Sequence, residues 1–214
     1  MSGKFITFEG TEGSGKTTQI IRLATRLEEL GWRTHILREP GATPIGEEIR
    51  HTLKHSKVNH AMTAEAELLL MNASRAQLVR EIIRPSLAAG HIVLCDRFYD
   101  STTAYQGYGR GLDLGVVKTV IDFAVGDTRP NLTIFMKVSP AVSAARLESR
   151  QAMLPFLRDR IEEADQQFFA RVAEGFEAVA AAEPQRVHVL DADGTPDEVS
   201  ARIWKVVEPL VSGR

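Results

Sequence analysis

The sequence predicts an α/β domain of three layers, in which a parallel sheet of five strands lies between two layers of helices. Two observations support this prediction. Five short apolar runs, typical of buried strands, alternate with segments of helical periodicity along the 214 residues, as in parallel βαβ units. Charged residues directly follow the first three runs, and open α/β sheets bind ligands at the carboxyl ends of their strands. We expect one domain over residues 1–214.

The first strand is predicted at Phe5–Phe8, and the loop after it carries the most informative motif. Residues 10–17 match the pattern G-x-x-x-x-G-K-[ST] at every fixed position. The glycines allow a tight turn that points backbone N–H groups at a phosphate, and the following helix adds the positive end of its dipole. We expect Lys16 to reach the β- and γ-phosphates of a nucleotide and Thr17 to bind Mg²⁺. The predicted phosphate-binding residues are Gly10, Thr11, Glu12, Gly13, Ser14, Gly15, Lys16, Thr17 and Thr18.

The other elements follow from apolar spacing and from capping residues. A helix is expected between the glycine-rich loop and a stop at Gly31. Polar residues that favour N-caps, each close to a proline or to a helical pattern, indicate where later helices start. These helices are expected to begin at Thr43, Thr63, Ser139 and Thr195. The remaining strands are predicted at Thr34–Leu37, Ile92–Cys95, Leu132–Val138 and Val187–Leu190.

Polar side chains follow the third predicted strand. Asp96 can bind Mg²⁺ directly or through water, and Arg97 beside it can grip a phosphate with its guanidinium. Residues 100–111 then mix hydroxyls, one amide, aromatic rings and glycines. We expect a loop there that recognises a flat polar ligand by hydrogen bonds.

A mobile lid is expected at residues 146–160. This stretch is charged, contains Pro155 and lies between two helical patterns. Arginines that a closing lid delivers can stabilise the negative charge of a phosphoryl group during transfer, and the glycine-rich loop has no arginine of its own. The arginines of the predicted lid are Arg146, Arg150, Arg158 and Arg160.

Bulk properties argue against several classes of function. The formal net charge of −2 gives no general attraction to nucleic acid or to membranes. Cys95 is the only cysteine, which excludes an internal disulfide and suits a reducing compartment. The apolar run near the N-terminus is too short for a signal peptide or a membrane span. We expect a cytoplasmic protein that acts on small molecules.

Five blocks of the sequence resemble those of the thymidylate kinases and occur in that family's order. The first block alone is typical of P-loop proteins in general, whereas the second and fourth together are specific to the family. The resemblance implies the P-loop NTPase fold and Mg²⁺-dependent transfer of the γ-phosphoryl group of ATP to thymidine monophosphate (dTMP) by a homodimer. The blocks are residues 8–19, residues 38–41 with 47–50, residues 75–79, residues 96–97 with 101 and 104–111, and residues 159–162 with 168–169.

The resemblance also implies roles for single residues that contact the acceptor. Arg38 and Arg97 would clamp the acceptor phosphate, and Glu9 would lie near the sugar and the metal. Arg75 would donate to a thymine carbonyl, and Thr102 and Gln106 would contact the polar edge of the base. Tyr105 would crowd the 2′ position of the sugar, and Arg50 would flank the pocket. The other substrate-binding residues implied are Glu39, Pro40, Met71 and Ser101.

Catalytic, metal-binding and ATP-binding roles are implied in the same way. The implied catalytic residues are Lys16, Glu9, Arg97, Arg150, Arg158 and Arg160. The implied metal-binding residues are Thr17, Asp96 and Glu9, and Arg146 would contact ATP. The chain departs from the family at Met71, where many relatives stack an aromatic ring on thymine, and at residues 151–157, which make the lid longer and more apolar.

Three other functions remain open on the sequence. The chain could be a kinase for an unphosphorylated acceptor, a GTP-binding switch, or a nucleotide-binding domain that only recruits partners. It contains no Asn-Lys-x-Asp motif for guanine, and its D-x-x-G match at residues 191–194 follows the last strand. A recruiting domain would leave the polar residues 96–111 without a purpose.

Overall fold

A computed structural model describes residues 3–153, 160–161 and 165–212 of the chain. Within these residues, five parallel strands form one sheet in the order β2-β3-β1-β4-β5, and helices cover both faces. The strand prediction is confirmed, with each boundary within one residue of the expected position. Because β1 pairs with β3 on one side and β4 on the other, the loop that follows β1 lies at the middle of the sheet. The strands are β1 (Lys4–Glu9), β2 (Thr34–Arg38), β3 (Ile92–Asp96), β4 (Leu132–Lys137) and β5 (Val187–Asp191).

The predicted helix starts are confirmed as well. The hydroxyls of Thr43, Thr63 and Thr195 each accept a hydrogen bond from the backbone N–H three residues later, which satisfies a donor that the helix cannot. Glu198 completes the capping box with Thr195. The helices are α1 (Lys16–Glu29), α2 (Pro44–Lys54), α3 (Ala64–Leu78), α4 (Arg84–Ala88), α5 (Tyr99–Thr102), α6 (Leu114–Val125), α7 (Pro140–Met153), α8 (Gln166–Ala182) and α9 (Pro196–Val211).

Alternation along the central strands decides which site residue faces which helical layer. In β1, Ile6 and Phe8 pack in a core cluster with α1 and α9, so Glu9 points to the opposite face, where α3 and α6 pack. In β3, Leu94 belongs to the α1 cluster, and Asp96 therefore points towards α1. The carboxylates of Glu9 and Asp96 therefore lie at the same end of the sheet but on opposite faces of it.

The predicted loop at residues 100–111 is wrong, because most of this segment is helical. Helix α5 continues as a π-helix over Thr103–Gly109 and packs on α8. Gly107 and Gly109 lie against packed side chains, whereas Gly111, with φ of 75°, forms the turn at the end of the segment. A Cβ on Gly107 would lie 2.7 Å from Leu114 Cδ2, and one on Gly109 would lie 2.7 Å from Phe168 Cε2. At Gly109 a side chain would also lie 2.9 Å from Val172 and has no room, whereas at Gly107 the contact is with the end of the Leu114 side chain, which can move.

The first half of the predicted lid is helical, and whether this segment moves as a lid stays a prediction. Helix α7 runs from Pro140 to Met153 without interruption, since its residues are good helix formers and the first proline after its start is Pro155. Residues 154–159 and 162–164 lie outside the described part of the chain, and with them Pro155 and Arg158. Among the described residues, we find no helix with the length and apolar character needed to cross a bilayer.

Candidate active site

The loop between β1 and α1 has the geometry of a phosphate cradle. Gly10 has φ of 137°, and a Cβ there would lie 2.6 Å from the carbonyl oxygen of Met136, so only glycine fits. The Lys16 ammonium folds back over the loop and donates to the carbonyls of Gly10 and Thr11, each at 3.1 Å, and to Ser14 Oγ at 3.3 Å. Burial, and then the nearby Arg97, lower the pKa of Lys16. The ammonium is therefore held, largely dehydrated, where phosphates would sit.

Thr17 and Asp96 meet beside the cradle as expected of a Mg²⁺ site. Thr17 Oγ1 donates to Asp96 Oδ2 at 2.9 Å, across the α1 face of the sheet. Among the described residues, no group of three or more His, Cys, Asp or Glu side chains could hold a metal ion. This donor set suits Mg²⁺, which usually takes few protein ligands and completes its shell with water and substrate phosphates.

Arg146 braces the glycine-rich loop from helix α7. Its guanidinium lies 3.3 Å from the carbonyl oxygen of Gly13 and 3.4 Å from that of Ser14, and 3.1 Å from that of Ala192 after β5. Arg146 thus lines the cavity over the loop from helix α7, in the helical part of the predicted lid. The same cavity is lined by Gly194, Pro196 and Val199, which the sequence analysis did not single out.

A second cavity lies on the other face of the sheet and joins the first. It is partly open to solvent, and the space it encloses amounts to about 50 Å³. Nine of the twelve residues predicted to bind the acceptor line it, whereas Glu9, Arg38 and Arg50 do not. The nine are Glu39, Pro40, Met71, Arg75, Arg97, Ser101, Thr102, Tyr105 and Gln106, and they are joined by Glu12, Lys54, Phe98 and Ile161. Four residues line both cavities: Glu12, Glu39, Lys54 and Arg97.

Arg97 stands where the two cavities meet. Its backbone has φ of 70°, a strained conformation for an arginine that turns the side chain towards the loop. The guanidinium donates to Ser101 Oγ at 3.0 Å and to the Tyr105 hydroxyl at 3.2 Å, and it forms a 2.5 Å ion pair with Glu12. Burial opposes ionisation of Glu12, but Arg97 and Lys16 lower the pKa of its carboxyl well below the usual range. In this structure the Glu12 carboxylate therefore takes up one of the cationic donors predicted for the acceptor phosphate.

Arg38 and Arg50 approach the same cleft from the β2–α2 segment. Arg38 makes two 2.9 Å hydrogen bonds to Glu47 and is half exposed, so it is held at the rim. Arg50 donates to the carbonyl of Pro40 at 2.9 Å, next to the cis peptide bond between Glu39 and Pro40. Lys54, one turn beyond Arg50, was missed by the sequence analysis, although its i+4 spacing from Arg50 places both on one helix face.

Arg75 anchors the floor of the second cavity through a buried ion pair. Its side chain is 2% exposed, and it donates to Glu39 Oε2 at 2.7 and 2.8 Å, and to Asn72, Thr102 and the carbonyl of Phe98. These contacts occupy all five N–H groups of the guanidinium. Donation to a thymine carbonyl, as the resemblance implies, would require one of these bonds to be exchanged, and this role stays a prediction.

The predicted lid arginines fall in different places. Arg160 precedes Ile161, which lines the second cavity, and its guanidinium donates to the buried carboxylate of Glu67 on α3. Its Nε is buried and has no hydrogen-bond partner in the described residues. Arg150 lies in α7, and its side chain, like the whole of Arg158, is outside what the structure describes. The catalytic role of these three arginines stays untested.

Glu9 is the buried carboxylate beneath the acceptor cavity. It is fully buried, and it accepts hydrogen bonds from the backbone N–H of Phe98 at 2.7 Å and from Ser101 Oγ at 2.5 Å. Burial, and then the neighbouring Asp100, raise the pKa of Glu9 to about 7. With a pKa of about 7, this carboxyl is close to the balance between its protonated and ionised forms at neutral pH. A bound metal ion or a hydroxyl donor would shift it to the ionised form.

We expect the Glu9→Gln variant to show the cost of this buried charge. A folded-state pKa above the unfolded value means that stability is full below pH 4.5 and is lost as the pH rises through 7. The wild type loses this contribution as the pH rises, and Glu9→Gln does not. The free energy of unfolding of the variant, measured relative to the wild type, should therefore increase by up to about 3 kcal/mol from pH 5 to pH 8. Urea unfolding without nucleotide or metal measures this, with Glu48→Gln as the exposed control. A pH-independent difference would contradict the assignment.

Comparisons with known proteins agree on one family. The sequence model of the thymidylate kinase family matches residues 8–203. The thymidylate kinase of Syntrophotalea carbinolica is 50% identical over 94% of this chain and 93% of its own length, and that of Deinococcus radiodurans is 45% identical over 96% of each chain. A crystal structure of thymidylate kinase from Ehrlichia chaffeensis superimposes with a TM-score of 0.78 at 33% identity, covering 97% of this chain and all of that one.

Proposed function

The chain belongs to the thymidylate kinase family, and on that premise we propose that it transfers the γ-phosphoryl group of ATP to dTMP, giving ADP and dTDP. One observation carries this proposal. The cavity over the glycine-rich loop and the cavity predicted to bind the acceptor adjoin at Glu12, Glu39, Lys54 and Arg97. Two phosphorylated substrates bound in these cavities would present their phosphates to each other at that junction. With a single cysteine and nucleotide substrates, we place the activity in the cytoplasm.

The proposed roles rely on position and charge, without a covalent enzyme intermediate. Lys16 holds the β- and γ-phosphates, and Arg97, with Arg38 at the rim, holds the acceptor phosphate. Thr17 and Asp96 would hold Mg²⁺, which supplies positive charge to the phosphate oxygens. When the acceptor phosphate reaches Arg97 it competes with Glu12, so binding of dTMP would release the 2.5 Å ion pair between them.

An acceptor panel tests this proposal. ATP is supplied with dTMP, dUMP, dCMP or thymidine in a coupled assay that follows ADP. We expect turnover of dTMP and none of thymidine, because the roles of Arg97 and Arg38 require a phosphate on the acceptor. Preference for an unphosphorylated acceptor would refute those roles. Tight binding of a guanine nucleotide without acceptor-dependent turnover would favour a switch instead.

We also propose a homodimer that forms through α3 and α6. These helices pack on each other, and they expose Leu69, Val116 and Phe123, the last of which is 83% exposed. Apolar side chains that a monomer would leave in water favour burial against a second copy. Val189 is also exposed, but it lies on the edge strand β5, outside this face, and it serves as the control.

We expect Phe123→Arg to weaken this dimer by at least about tenfold in dissociation constant, since a guanidinium would be buried without a partner. Sedimentation velocity over a concentration series measures the shift. Val189→Arg should sediment as the wild type does. A dimer that is equally strong in Phe123→Arg would exclude this face as the interface.

A further inference from the structure

One buried carboxylate at the acceptor cavity has no part in the proposed transfer. Glu67 on α3 is fully buried, and in the described part of the chain it accepts four hydrogen bonds. Oε1 accepts from Gln106 Nε2 at 2.7 Å and from Arg110 Nε at 3.2 Å. Oε2 accepts from Arg110 at 3.0 Å and from Arg160. Two guanidinium groups beside one buried carboxylate favour its ionised form.

The position of Glu67 links it to the base end of the cavity. It lies one turn before Met71 and two turns before Arg75, so the three side chains share one face of α3. Met71, Arg75 and Gln106 line the cavity itself, as does Ile161, the neighbour of Arg160. Glu67 therefore stands directly behind the side chain predicted to meet the polar edge of the base.

An ionised carboxylate can only accept hydrogen bonds, and this fixes the Gln106 amide. The Gln106 amide must turn its NH₂ group to Glu67, so its carbonyl oxygen is the atom that can accept a hydrogen bond from a ligand. Thr102 is constrained in a similar way, because its hydroxyl oxygen accepts from Arg75 at 2.9 Å and its own proton remains available. The pair thus offers one acceptor and one donor. A pyrimidine-2,4-dione presents the matching N3–H and carbonyl, whereas cytosine presents an unprotonated N3.

Resting on the proposed function, we propose that Glu67 is a positioning residue that sets base selectivity. By holding Gln106 with its carbonyl towards the ligand, it selects thymine and uracil over cytosine, and Arg110 and Arg160 keep Glu67 able to do so. Arg160 then contributes to recognition of the acceptor base indirectly, because it pairs with Glu67, which orients Gln106. A carbonyl oxygen that faces the N3 lone pair of cytosine gains no hydrogen bond and meets another acceptor, which costs binding free energy.

Glu67→Gln tests this selectivity, because glutamine has the same shape but can donate to Gln106 and lets the amide reverse. We expect the ratio of kcat/KM for dTMP to that for dCMP to fall at least about tenfold. The values for dTMP and dUMP should fall together, since both bases share one edge. If damage to the fold were the cause, all three acceptors would lose activity alike and the ratio would stay unchanged, which would overturn the proposal.

A double-mutant cycle keeps the proposal testable if Glu67→Gln is poorly folded. Gln106→Met removes the amide and should lower the same ratio. Glu67→Asp, one methylene shorter, should lower the ratio on its own by loosening its hold on Gln106, and adding it to Gln106→Met should then change the ratio no further, because Glu67 acts through Gln106. Independent, additive effects would contradict this. Wild-type enzyme that fails to phosphorylate dTMP would instead refute the proposed function, so the two failures are distinguishable.

Discussion

Lys16→Ala is expected to lower kcat by at least about 10²-fold while the protein remains folded, as for the loss of one preorganised donor to a transition state. The ammonium already lies over the glycine-rich loop, in contact with Gly10, Thr11 and Ser14, so its orientation costs little when phosphates arrive. Charge moves onto the β–γ bridging region during transfer, and a buried cation stabilises that charge more than an exposed one would.

The measurement is a steady-state ADP assay at saturating dTMP, with a thermal melt to confirm folding. Lys118→Ala serves as the matched control, because Lys118 is a largely exposed lysine on α6, paired only with Asp122 in the described structure. It should keep wild-type turnover. Lys16→Ala with unchanged kcat would mean that the glycine-rich loop is not the phosphate site.

Most of what could be predicted from the sequence was local. The phosphate cradle is encoded by fixed spacing within eight residues, and the helix starts by a capping residue and its neighbour. The meeting of Thr17 with Asp96 also follows, since both sit at the ends of elements that a parallel sheet brings to one edge. Alternation along β1 and β3 then places Glu9 and Asp96 on opposite faces once the facing layers are known.

What could not be predicted depends on partners far apart in the chain. Glu67 is one more glutamate in a helix until Gln106, Arg110 and Arg160 are folded against it. Its spacing from Met71 and Arg75 was the available signal. The segment after Asp100 differs from the expected loop because Gly107 and Gly109 lie within helical turns against Leu114 and Phe168, and a turn forms only later, at Gly111. The partners of Glu67 and the conformation of the segment after Asp100 both depend on packing between elements distant in sequence, which no local pattern encodes.

Arg75→Met is expected to lower the free energy of unfolding by roughly 3 kcal/mol at pH 8, because it leaves the Glu39 carboxylate buried without its cation. Both side chains are less than 5% exposed, and Glu39 Oε1 already has no hydrogen-bond partner in the described residues. Burial raises the pKa of Glu39, and Arg75 is the group that opposes this shift. Without Arg75, the carboxyl should take up a proton on folding.

The sign of the pH dependence follows from that proton. A carboxyl with a raised folded-state pKa loses stability as the pH increases, so the deficit of Arg75→Met should be smaller at pH 5.5 than at pH 8. Urea unfolding at both pH values measures it. The double variant Glu39→Gln with Arg75→Met should recover part of the loss, since a neutral amide costs less to bury than a lone charge. A deficit below about 1 kcal/mol, equal at both pH values, would show that solvent reaches this pair and that it is not the dry anchor of the acceptor cavity.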